Sequence, residues 1–74
     1  MGGKKINSVA DLGEIVRSWR KENRLSQQEL ADFSGVGRIF VVHLEQGKPT
    51  IQMGKALDVL ESLGLELVVK RREG

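Results

Sequence analysis

Few residues in this 74-residue chain are equipped for chemistry, and their spacing excludes most reactions. There is no cysteine and only one histidine, His43, so one copy can assemble no disulfide, thiolate site or histidine-based metal centre. Catalysis needs a positioned nucleophile or acid–base pair in a pocket, and a chain this short has little volume for one. Gly35-Val36-Gly37 lacks the third glycine of a nucleotide-binding loop, with Phe40 standing in its place. The expectation is a protein that is not an enzyme and carries no cofactor and no metal. What remains is recognition chemistry. Arg38, His43, Gln27, Gln28 and Lys48 are polar side chains with hydrogen-bond donors of the kind recognition uses.

Those side chains need elements to hold them. Ser8 with Asp11 three residues on resembles a capping box, and Val9, Leu12, Ile15, Val16 and Trp19 then recur at helical spacing, predicting a first helix from about Val9 to Asn23. Ser26-Gln27-Gln28-Glu29 is a full capping box; Leu30, Ala31 and Phe33 follow, and Gly35 ends the run. A third helix runs from Gly37 or Arg38 to Gly47, with Val41, Leu44 and Phe40 as core candidates. After the turn Gly47-Lys48-Pro49-Thr50, a fourth helix carries Met53, Ala56, Leu57, Leu60 and Leu63 and closes at Gly64. The period then changes. Leu65-Glu66-Leu67-Val68-Val69-Lys70 reads as a strand, and since the chain has no second strong strand, its simplest partner is the same strand of another copy.

Composition agrees with a small folded domain. Hydrophobic residues make 39% of the chain, and no apolar run approaches a membrane span. No signal peptide is suggested, and Met1-Gly2 is followed by Ile6 where a myristoylation signal needs Ser or Thr. The expectation is a cytoplasmic protein with no membrane partner. A core this size seldom gives more than about 3–5 kcal/mol, so oligomerisation is the expected staple. The net charge of +2 weakly fits a polyanion partner.

Two short helices joined by a glycine-containing turn, Gln27–Phe33 then Arg38–Gln46, form a helix-turn-helix candidate. Leu25-Ser26-Gln27-Gln28-Glu29-Leu30-Ala31, Gly35-Val36, Val41 and Leu44-Glu45-Gln46-Gly47-Lys48 together resemble the Cro/repressor-type helix-turn-helix family of bacterial and phage regulators. With the long first helix and Leu60-Glu61-Ser62-Leu63-Gly64-Leu65-Glu66-Leu67 running into a short strand, the chain from Ile6 to about Val69 is similar to the HipB-type antitoxins.

The resemblance implies an all-α, lambda-repressor-like domain of four to five helices with a C-terminal β-strand that pairs across a dimer. It implies a flexible arm over 1–7, a DNA-binding domain over 8–64, a dimerising strand over 65–70 through Leu65, Leu67, Val68 and Val69, and a basic tail over 71–74. By the same resemblance Gly37, Arg38, Ile39 and His43 face the bases, with Ile39 either meeting a thymine methyl or belonging to the core. Gln27, Gln28 and Lys48 meet phosphates, and Arg20 pairs with Glu45 as a buried structural ion pair. The partners implied are double-stranded operator DNA, a second copy, and a HipA-type kinase toxin. The function implied is transcriptional repression by an antitoxin of a toxin–antitoxin operon. Two alternatives stand beside it: a stand-alone repressor, and a protein-interaction module that has lost DNA binding. The last arises because Gly37-Arg38-Ile39-Phe40-Val41-Val42 is unusually apolar where many repressors place Ser, Gln or Thr.

Overall fold

The computed structural model describes residues 3–73. Of the expected arm and tail, Met1, Gly2 and Gly74 lie outside the described residues, as does the Met1-Gly2 start of the rejected myristoylation signal. Among the described residues the chain forms four helices and no strand: α1 Val9–Glu22, α2 Gln27–Ser34, α3 Arg38–Glu45 and α4 Met53–Ser62. Helix α1 packs on α3, and α2 packs on both α3 and α4.

Each boundary has a local cause. At the start of α1 the Ser8 hydroxyl accepts from the Asp11 N–H at 3.2 Å, while the Asp11 carboxylate reaches past Ser8 to accept from the Asn7 N–H at 2.8 Å. At α2 the box is reciprocal: Ser26 Oγ accepts from Glu29 N–H at 3.0 Å and Glu29 Oε1 from Ser26 N–H at 2.8 Å. Gly35, at φ 70°, ends α2 in the left-handed conformation that costs a side-chain-bearing residue about 1–2 kcal/mol. Gly37 starts α3 without any side-chain cap.

The core is Leu12, Val16, Leu30, Ala31, Val41, Leu44, Ala56, Val59 and Leu60, with Ile6, Val9, Leu25, Val36, Phe40, Ile51, Leu63 and Leu65 packed around it. Helical spacing alone puts Trp19 inward, yet it is 40% exposed. The reason is that the buried stripe of α1 is Leu12, Gly13, Val16 and Arg20. At 100° per residue its centre is rotated away from Trp19, toward a glycine and an arginine that a search for apolar side chains passes over. Gly13 is where α1 meets α3 backbone to backbone: a Cβ built there collides with the Leu44 carbonyl oxygen. Met53 and Leu57, on the flank of α4, and Phe33, at 71% exposure, are likewise open.

Residues 65–73 have no regular secondary structure. A strand needs a neighbour for its N–H and C=O groups, and the described residues of one chain supply none. No helix of the described residues is long and apolar enough to cross a membrane.

Candidate nucleic-acid interface

The α2–α3 pair is set by a polar network under it. Arg20 of α1 donates from Nε to Glu45 Oε2 at 2.7 Å and from Nη2 to Glu45 Oε1 at 3.0 Å. Its Nη1 donates to the Leu25 carbonyl at 2.8 Å, in the turn between α1 and α2. Glu45 Oε1 accepts a further bond from Gln27 Nε2 at 3.1 Å. Four points are thereby tied: the end of α1, the α1–α2 turn, the start of α2 and the end of α3. The bidentate fork is the strong geometry for such a pair, and both side chains are largely buried. The hydrogen bond to Glu45 holds the Arg20 guanidinium above its ordinary range, with burial opposing and the Glu45 charge assisting.

Gln27 is therefore not a free surface amide. Its side chain is fixed against Glu45, 18 residues away, and is half-buried. No sequence signal marks that contact, because it depends on where the end of α3 comes to rest. Gln28 is exposed, and its Nε2 donates to Asp32 Oδ1 at 2.8 Å along α2. As the first two residues of α2, Gln27 and Gln28 also carry N–H groups that have no carbonyl partner inside the helix, the arrangement that suits an anion. Lys48 is exposed in the turn after α3, where its N–H donates to the His43 carbonyl at 3.0 Å.

Helix α3 presents two unlike faces. Val41 and Leu44 are fully buried, and opposite them the outward surface carries Arg38, Ile39, Val42 and His43. Arg38 is exposed and its side chain makes no hydrogen bond or ion pair among the described residues. Gly37, just before it, is exposed and offers backbone only. Ile39 is 54% exposed and not in the core. His43 is half-buried one turn further along the same face. Phe40 turns aside toward α4, with Lys55 Nζ 5.9 Å from its ring centroid.

At the other end of the chain Leu65 packs against the core, and its N–H donates to the Leu60 carbonyl at 2.9 Å. Leu67, Val68 and Val69 are exposed, the last at 94%. Lys4, Lys5, Lys70, Arg71 and Arg72 are all exposed. Among the described residues no group of His, Cys, Asp and Glu side chains could hold a metal ion.

The sequence pattern of the helix-turn-helix family matches residues 16–69. An uncharacterized HTH-type transcriptional regulator, y4mF, of Sinorhizobium fredii is 53% identical over 64 residues, 86% of this chain and 84% of that protein. Among solved structures, a chain of a HipA–HipB–O2–O3 complex superposes with TM-score 0.85 and that of a HipB–O4 20mer complex with TM-score 0.84, each at 22% identity over 96% of this chain and 100% of that one; this likeness speaks to the fold. The restriction-modification controller protein C.AhdI of Aeromonas hydrophila gives TM-score 0.69 at 29% identity, over 78% of this chain and 84% of that one.

Proposed function

The chain belongs to the helix-turn-helix family of DNA-binding transcriptional regulators, and from that premise we propose that it is a homodimeric repressor that sets one α3 helix into each of two successive major grooves of a palindromic operator. The observation that carries this reading is the outward face of α3, where Arg38 stands exposed and, among the described residues, unpaired beside Gly37 and Ile39, on a helix clamped from behind through Glu45. Arg38 meets guanine O6 and N7, His43 a base or phosphate further along, and Gln27, Gln28 and Lys48 meet phosphates around them. Such phosphate contacts fix register and affinity, and the α3 face carries sequence preference.

In the same reading 1–7 is an arm, 8–64 the DNA-binding domain, 65–70 the dimerising strand and 71–74 a basic tail. Leu67, Val68 and Val69, left open in the single chain, cover one another when the strands of two copies pair. Dimerisation sets the two α3 helices about 34 Å apart. The HipB likeness supports the further step that the protein is an antitoxin engaging a HipA-type kinase as well as DNA.

The test is titration of the purified chain with the duplex upstream of its own gene at several salt concentrations. Affinity that falls linearly in log–log form reports displaced counterions and supports the reading; salt-independent or absent binding overturns it. A pull-down with and without nuclease separates antitoxin from stand-alone repressor, since a kinase-like protein retained after nuclease belongs only to the first. The apolar surface of α3 favours one second reading, a module that binds protein alone, for which no duplex binds at all.

A further inference from the structure

The fold sorts the apolar residues of α3 into unlike roles. Val41 and Leu44 are buried, Phe40 is half-buried beside Lys55, and Val42 is half-buried. Ile39 alone among them stays open, at 54%. It points directly away from the Val41–Leu44 side, between Arg38 and His43, so it occupies the centre of the surface that would enter a groove. An isoleucine there can read neither donors nor acceptors. In the major groove the only apolar group that a base pair displays is the thymine C5-methyl. Helix α3, with the sequence RIFVVHLE, has no Asn or Gln, the side chains that pair with adenine in bidentate fashion; the exposed Gln46 comes only at its C-terminal cap, away from the N-terminal residues that reach base edges. Hydrogen-bond readout of an A·T pair is thus curtailed on this face, and methyl readout is what its central residue offers.

We infer that Ile39 reads the C5-methyl group of a pyrimidine next to the base met by Arg38, so that each half-site holds a thymine, or equally a C5-methylated cytosine, at that step. The inference rests on the DNA-reading face proposed above and names what its central residue selects. It also makes binding sensitive to cytosine methylation: a cytosine at this position binds more weakly than its C5-methylated form.

The experiment begins with duplexes selected from a random library by the full chain. Each thymine of the selected half-site is then replaced by deoxyuridine, which removes the methyl and keeps every hydrogen-bonding atom. One position per half-site is expected to lose about fourfold in affinity, the worth of one buried methyl, and the two half-sites together about fifteenfold. C5-methylation of a cytosine placed there recovers about fourfold. Ile39→Ala, at an exposed position, keeps the parent circular dichroism and binds thymine and deoxyuridine duplexes alike. If the parent binds both duplexes equally at every position, or if Ile39→Ala still tells them apart, the inference is overturned while DNA binding through α3 stands. If the library yields no bound duplex, DNA binding through α3 falls and the inference falls with it.

Discussion

Arg20 and Glu45, 25 residues apart, meet through two hydrogen bonds of 2.7 and 3.0 Å, and the same carboxylate holds the Gln27 amide at 3.1 Å. One buried acid therefore links the stability of the α1–α3 contact to the placement of a proposed phosphate-contacting side chain. Arg20→Met should destabilise the fold by about 3–5 kcal/mol in urea unfolding, because it strands the Glu45 charge. Adding Glu45→Leu should recover part of that loss while leaving Gln27 unanchored, so that stability returns and DNA affinity does not.

The pair also has a defined pH behaviour. Its hydrogen bond to Glu45 raises the Arg20 pKa above an already high ordinary value. A group whose folded pKa is raised keeps its full contribution below the unfolded pKa and loses it only as pH climbs through the folded one. The stability difference between the parent and Arg20→Met should accordingly be the same at neutral pH and in mild alkali. A difference that shrinks between those two conditions would contradict the assignment.

Two helical glycines should respond in opposite senses to alanine. Gly13→Ala drives a Cβ into the Leu44 carbonyl oxygen, a backbone atom that cannot swing aside, and should cost about 3 kcal/mol despite the better helix propensity of alanine. Gly54→Ala in α4 meets nothing within 4 Å and should stabilise by about 0.5–1 kcal/mol. Thermal unfolding of the two variants checks both signs.

Arg38→Ala should relax base preference at one operator position, whereas Lys48→Ala should weaken all sequences alike and lower the salt slope by about one. Competition titrations with single-base operator variants distinguish the two effects. Equal losses on every sequence for both variants would overturn the division between base and phosphate contacts.

Truncation after Leu65 should leave the domain folded and monomeric, with most operator affinity lost. Leu65 itself must stay, because it packs on the core and closes the end of α4 through the Leu60 carbonyl. Sedimentation of the shortened chain is the direct check, and a persistent dimer would refute pairing through residues 66–70.

The serine cap at Ser8, the capping box at Ser26, the glycine at 35 and the spacing of Leu30, Val41, Leu44 and Leu60 are local features, and each was legible in the chain as written. They determine four helices, their order and the turn between α2 and α3, because capping and amphipathic periodicity act within a few residues. The place of Arg38 at the start of α3 was legible too, since it follows from that local pattern.

What only the tertiary structure decided are relationships between distant segments. The buried face of α1 is centred on Gly13 and Arg20, so Trp19 is left at its edge; the close backbone approach at Leu44 and the Glu45 fork set that rotation. Gln27 takes a partner 18 residues away, and Ile39, for which core and surface both stood open, faces outward. Each depends on how one helix is turned against another. Local sequence does not encode that angle; close packing of complementary surfaces does.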